Sequence, residues 1–284
     1  MHSFEIPGLT LGPGSQPVEP DGAELDYLPL PKAMETYVSP SLPEAEQAQA
    51  CPRGIRLLES LLIQLQSYRV LEPSRVVDLM TLPELDRLLV TQALGEGEVS
   101  ILFGSDEGMR VQETRLAGVW RVQSSDASGQ VTRDEIEVAE IPFAVREIAF
   151  KEAAQGLDPE TPPDEVLTAR SVLSELNEQV GTWRFGDLPH VVNLTLLPHS
   201  EADLAYLDAQ LGTGPITILS RGYGNCRITA TALRHCWWVQ HFNSDDSLIL
   251  NTLEVVDIPA AALAAQEDIE DSAARLAEII EAVR

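Results

Sequence analysis

Apolar positions in residues 53–68 recur at helical spacing, with Ile55, Leu58, Leu61, Leu62 and Leu65 on one face. This pattern predicts a helix over Arg53–Tyr68. A matching helix is predicted over Asp164–Val180. After the first helix the pattern predicts a short strand (Val76–Met80), then a helix behind Pro83 that stops at Gly95 and Gly97, where glycine can take the left-handed helix stop. Strand-like alternation follows at about 98–103, 109–115, 117–123 and 134–140, and Pro142 opens a closing helix. The same succession returns later, with a strand at Val191–Leu196, Pro198 before a helix, Gly212 and Gly214 at its end, and Pro259 before a helical tail. Leu263, Ile269, Leu276, Ile279 and Val283 form the apolar stripe of that tail.

The recurrence can be read residue by residue. Residues 94–142 align without a gap on 211–259, an offset of 117, with fifteen identities in forty-nine positions. Among them are Arg110/Arg227, Thr114/Thr231, Trp120/Trp237, Val122-Gln123/Val239-Gln240 and Ile141-Pro142/Ile258-Pro259. Upstream, Val76-Val77 and Leu82-Pro83 match Val191-Val192 and Leu197-Pro198 at an offset of 115. The expected architecture is therefore α+β. It is a tandem duplication of an α-β-α-β(3–4)-α unit with mainly antiparallel sheets, preceded by an extended N-terminal arm. The expected boundaries are 1–52 for the arm, 53–155 for the first unit and 164–284 for the second, with a linker at Gly156–Pro163. The arm holds nine of the 19 prolines, and Lys32 is its only basic residue before position 51, so it lacks the apolar surface to fold alone.

Charge narrows the function classes. Nineteen Lys+Arg against 45 Asp+Glu give a net charge of −26, which argues against nucleic-acid binding and against docking on an anionic membrane. No apolar run is long enough to span a bilayer, and Met1–Pro7 lacks the basic and apolar regions of a secretory signal. Cys51, Cys226 and Cys236 are odd in number and show no CxxC spacing. Neither a disulfide framework nor a zinc site is expected, and the cytoplasm is the expected compartment.

The internal comparison also sorts candidate site residues. Trp120/Trp237 and Val122/Val239 keep period two in both units and are expected in the core, while Arg110/Arg227 are expected in structural ion pairs or carbonyl contacts. The second unit departs from the first in two places. Its hairpin Gly222-Tyr223-Gly224-Asn225-Cys226 could form an anion nest or an ordinary turn. Cys226, like Cys236, replaces an apolar residue of the first unit and is expected as a small buried hydrophobe, the alternative being a reactive thiol near Arg221, Arg227 or His235. Its strand reads Arg234-His235-Cys236-Trp237-Trp238 where the first unit has Ala117-Gly118-Val119-Trp120-Arg121. Arg121 places that face in solvent, so Trp238 is expected either to fill a contact between units or to join His241 and Phe242 in an exposed aromatic patch. The expected partner-binding residues are Arg234, His235, Trp238, Phe242, Gly222, Tyr223, Gly224 and Cys226. No catalytic motif, metal set or cofactor loop stands out.

Several ordered motifs carry a resemblance across nearly the whole chain. They are Leu11-Gly12-Pro13-Gly14-Ser15-Gln16-Pro17, Leu94-Gly95-Glu96-Gly97-Glu98-Val99, Gly222-Tyr223-Gly224 with Thr231 and His235, Leu253-Glu254-Val255, and Ala265–Ala273. Together they resemble the hydrogenase expression/formation proteins of the HupH/HyaF/HoxQ type. That resemblance implies a non-enzymatic cytoplasmic maturation chaperone without a cofactor. Its implied partners are the iron–sulfur small-subunit precursor of a membrane-bound uptake nickel–iron hydrogenase, exported by a twin-arginine signal, and a thioredoxin-like companion chaperone. The alternative is a thiol- or metal-dependent iron–sulfur cluster assembly factor acting through Cys226.

Overall fold

A computed structural model describes residues 45–104, 108–159, 161–221 and 225–283. Most of the expected N-terminal arm and Gly222–Gly224 therefore lie outside the described residues. The chain order is α1 (Ala45–Ala50), α2 (Pro52–Ser67), β1 (Arg75–Asp78), α3 (Glu84–Leu94), β2 (Val99–Phe103), β3 (Met109–Glu113), β4 (Val119–Ser125), β5 (Val131–Val138) and α4 (Phe143–Ile148). It continues with α5 (Ala169–Thr182), β6 (His190–Asn193), α6 (Glu201–Leu211), β7 (Ile216–Ser220), β8 (Asn225–Ala230), β9 (Cys236–Phe242), β10 (Leu248–Val255) and α7 (Gln266–Val283). The molecule is α+β, as the pattern predicts. None of the described helices is long and apolar enough to cross a membrane.

All ten described strands join in one antiparallel sheet, ordered β1-β5-β4-β3-β2-β7-β8-β9-β10-β6. Read inward from either edge, the two halves have the same topology. They meet where β2 pairs with β7. Ile101 lies opposite Ile218 there, two positions related by the offset of 117, while Ser100 faces Leu219 and Leu102 faces Thr217. A local two-fold axis therefore passes through the Ile101–Ile218 pair. The outer edges are the four-residue strands β1 and β6, and short edges limit unwanted pairing.

Period-two alternation divides the side chains between two faces. On one face Ile101, Val111, Trp120 and Val122 join Ile218, Ile228, Trp237 and Val239 in a central core shared by both halves, with Val145 of α4 packed into it. Each core tryptophan donates its indole N–H to a carbonyl just past the neighbouring strand, Trp120 to Ala139 and Trp237 to Asp257. The other face is covered only toward its ends. Helices α2, α3 and α7 enclose Val119, Ile136 and Val138, and α5 and α6 enclose Cys236, Leu253 and Val255.

The tail helix departs from its expected extent. It begins at Gln266, after a short 3-10 turn at Ala260–Ala262, and it packs on the first half rather than its own. Ile269, Ala273, Leu276, Ile280 and Val283 complete the core beneath α2. Ile269 explains Gly118, whose φ is 76°, because a Cβ there would meet Ile269 Cγ1 at 2.7 Å. His235 occupies the equivalent place at φ 59°. The stops of α3 and α6 are also more demanding than expected. Gly95 (φ 61°, ψ −174°) and Gly212 (φ 59°, ψ 178°) take an extended positive-φ conformation that is essentially glycine's alone.

Two buried carboxylates at equivalent positions tie helices together. Asp86 accepts the Gly54 N–H at 2.6 Å. Asp203 completes a capping box with Ser200 and accepts the N–H groups of Leu167, Thr168 and Ala169. Burial alone would raise the Asp203 pKa, but these donors outweigh it and hold the carboxyl well below the usual range. Glu113 is the opposite case. Burial, with Glu98 and Asp268 adding repulsion, overcomes the Gly118 N–H and pushes it up to about 7.

Two consequences can be measured. Ile269→Ala should cost ~3 kcal/mol of unfolding free energy, because it leaves a cavity in a core closed by the chain's last helix. Glu113 has a folded pKa above its ordinary 4.5, so its contribution to stability is full below that value and is lost as pH rises through about 7. Glu113→Gln should therefore raise the denaturant midpoint at pH 8 and leave it unchanged at pH 4.

Candidate functional site

Between the two helical layers the middle of the sheet shows one face that no described helix covers. Cross-strand register sets its side chains in two rows. One runs Gln123, Arg110, Leu102, Thr217, Thr229, Trp238, and the other runs Arg121, Gln112, Ser100, Leu219, Arg227, Gln240. An offset of 117 converts the first three members of each row into the last three of the other, in reverse order. Leu102 is 53% exposed and Arg110 is exposed, while the remaining members are half-buried. Gln112 is held in place by donating to the carbonyls of Gly97 and Val99.

The two halves differ at the ends of these rows. Arg121 makes a two-pronged ion pair with buried Asp134, 2.9 Å for both Nε–Oδ1 and Nη2–Oδ2. The positions equivalent to Arg121 and Asp134 are Trp238 and Asn251, and there the indole N–H donates to Asn251 Oδ1 at 2.5 Å. A charged cross-strand pair has become a neutral one that presents an aromatic ring. Trp238 packs partly on the core beneath α5 and α6, and two strands separate it from the β2–β7 seam, so it does not fill the contact between halves.

The expected site residues fall in three places. Trp238 and Phe242 share the uncovered face, four residues apart on β9. Cys226 points to the opposite face, where it is buried in the central core with its Sγ 3.9 Å from His241 Nε2. Burial, and then the Glu254 carboxylate, push its thiol up to about 11, which disfavours the thiolate a nucleophile or metal ligand requires. Arg234 and His235 lie beyond the strand end in the β8–β9 turn. The His235 ring stacks on Trp183 (4.5 Å between centroids) and Phe150 (5.5 Å), and its Nε2 accepts from Arg234 Nε at 3.3 Å. Burial and then Arg234 lower its pKa, so the imidazole is neutral at pH 7. This turn borders a cleft of about 200 Å³ that Phe150, Lys151 and Arg146 also line. Among the described residues no group of three His, Cys, Asp or Glu side chains is placed to hold a metal ion.

The residues that sequence reasoning missed are Arg110 and Arg227. They are expected in structural ion pairs or carbonyl contacts, yet neither side chain has a hydrogen bond or salt bridge to another described residue. The 117-residue offset marks them as a symmetric pair, but only strand register shows that both project from the uncovered face.

A family model described as the HupH hydrogenase expression protein, C-terminal conserved region, matches the chain twice, at residues 53–158 and 166–283. These segments are the ones that carry β1–β5 and β6–β10. The chain is 52% identical to the hydrogenase expression/formation protein HupQ of Azotobacter chroococcum, covering 96% of this chain and 95% of that protein. It is 44% identical to HoxQ of Cupriavidus necator, covering 99% and 98%, and 36% identical to the hydrogenase-1 operon protein HyaF of Escherichia coli, covering 95% and 94%. A solved structure of the hydrogenase expression protein HupH from Thiobacillus denitrificans matches with 25% identity and a TM-score of 0.35, over 39% of this chain and 92% of that one.

Thiol chemistry provides a direct check. Iodoacetamide at neutral pH should leave Cys226 and Cys236 unmodified in the native chain and label both once guanidinium unfolds it, as read by mass spectrometry.

Proposed function

Because the chain belongs to the hydrogenase expression/formation protein family, we propose that it serves hydrogenase maturation by binding rather than by catalysis. In this reading it is a cytoplasmic chaperone for the iron–sulfur small subunit of a membrane-bound uptake nickel–iron hydrogenase. It holds or protects the precursor before assembly and twin-arginine export, alongside a thioredoxin-like companion chaperone. The observation that carries the reading is the uncovered sheet face, where Leu102 stands exposed and Trp238 lies half-buried in the same row, with Thr217 and Thr229 between them. A β floor open between two helical layers can receive a polypeptide, and tryptophan is a common anchor of such contacts.

We further read the chain as a tandem duplication, with 53–155 and 164–284 as its units behind the arm of 1–52. The shared topology and the double family match support this. The cluster-assembly alternative draws on Cys226, whose burial and raised pKa weigh against it.

Affinity capture from cells making the hydrogenase tests the proposal. The native chain should retain the small-subunit precursor, and Trp238→Ala should weaken binding about tenfold with an unchanged circular dichroism spectrum. No capture by the native chain would defeat the function. Equal binding by Trp238→Ala would remove the assigned face.

A further inference from the structure

We infer that the uncovered sheet face grips a largely apolar segment bearing two carboxylates about 15 Å apart, anchored by Arg110 and Arg227 over a floor of Leu102 and Leu219. The inference rests on the partner-binding reading above and deepens it by stating the chemistry of what is bound.

The arginines are the core of the case. The chain has 45 acidic and 19 basic residues, so a cation here does not lack partners for want of carboxylates. Arg75, Arg121, Arg133 and Arg146 each have one within ion-pair distance. Arg110 and Arg227 have none among the described residues, as is true of most of the chain's other arginines, and what sets these two apart is their symmetric place on one uncovered sheet face. Both project from the same face, because register links Arg110 to Leu102 and Arg227 to Leu219. Three strand spacings separate β3 from β8, roughly 14 Å at about 4.8 Å each, with an offset of one row along the strands. Leu102 and Leu219 occupy the two strands between, one in each row, so a diagonal across the face runs Arg110, Leu102, Leu219, Arg227, with Thr217 and Ser100 filling the other two central positions. Two carboxylates about ten residues apart on a helix would span that distance.

Other occupants fit less well. A second copy of this chain carries the same net −26 and is repelled by like charge. Nucleic acid, with its dense phosphate charge, is repelled by the net −26. A basic export signal meets the same two cations, so on this inference the face binds the body of the partner and leaves any such signal elsewhere.

The chain's composition supplies a low-background test. Its only lysines are Lys32 and Lys151, so carbodiimide links that start from this chain's own side-chain amines have few native origins, and links from its carboxylates to precursor lysines are told apart by mass spectrometry. The full chain carrying Arg110→Lys and Arg227→Lys keeps both charges and adds an amine at each position. Mixed with the small-subunit precursor, it should give amide links from positions 110 and 227 to precursor Asp or Glu side chains, whether or not the signal peptide is present. Arg110→Glu with Arg227→Glu should weaken binding more than tenfold without altering circular dichroism. Links from Lys32 and Lys151 alone would overturn the inference and leave the function intact. So would undiminished binding by the charge-reversed pair while Trp238→Ala still weakens it. If the native chain binds no precursor, the functional reading fails and the inference is judged on a leucine-rich helical peptide with two glutamates about ten residues apart. Absence of links from both positions to that peptide would overturn it.

Discussion

The antiparallel pairing of β2 with β7 is the contact on which the remaining architecture depends. Without it each half would end in an exposed strand with unpaired backbone groups, a ready template for aggregation. Pairing removes both edges at once and brings Ile101 against Ile218 in a core that draws side chains from both halves. Hydrophobic burial across this seam therefore cannot be assigned to one half. Helix α7 extends the dependence, since the last residues of the chain complete the core beneath α2. Arg146 adds a polar clamp by pairing with both Glu140 and Asp257, which occupy equivalent positions in the two halves. Breaking the seam would expose apolar surface and strand an ionic group together, a combination that favours cooperative unfolding.

Within this shared frame the halves diverge where chemistry differs. Arg121–Asp134 and Trp238–Asn251 solve the same cross-strand problem, satisfying a buried acceptor on the neighbouring strand. The first uses charge, and the second uses an indole N–H that leaves an aromatic surface facing outward. Gly118 and His235 share a left-handed backbone, but Ile269 closes over the glycine whereas Trp183 and Phe150 leave room for an imidazole. Tyr68 and Trp183, related by the upstream offset of 115, end α2 and α5. Tyr68 accepts the Glu140 N–H through its hydroxyl, while Trp183 stacks on His235. Each difference is local and leaves the strand order unchanged.

Much of this was legible in the amino-acid sequence because its signals are local. Period-two alternation located the strands around Trp120 and Trp237, and the 117-residue offset aligned them before any register was known. What escaped depends on how separated segments meet. Nothing in the tail stripe of Leu276 and Val283 says that it crosses to the first half. Asp86 and Asp203 look like ordinary helix-start acids, yet they are buried ties whose donors come from 32 to 36 residues away. Cys226 is next to the glycine hairpin in sequence, but register turns it away from Trp238 and Phe242, which sit on the other face. The expected ion pairs of Arg110 and Arg227 failed for the same reason. A salt bridge needs a carboxylate brought from another strand, and the register brings leucine to one side of each and glutamine to the other.

The placement of charge then separates two ranges of interaction. Out to about a Debye length the net −26 dominates the field, so the chain attracts partners of overall positive charge and repels polyanions, an effect that salt screens beyond that range. At contact distance the sheet face reverses that sign through two arginines, each set beside a leucine. A partner passing both tests is basic overall but offers a greasy segment with sparse carboxylates. Neither condition alone is selective, since many proteins are basic and many helices carry two glutamates. On the inference drawn above, their conjunction would reject polyanions by net charge and basic tails at contact, giving discrimination without a deep pocket.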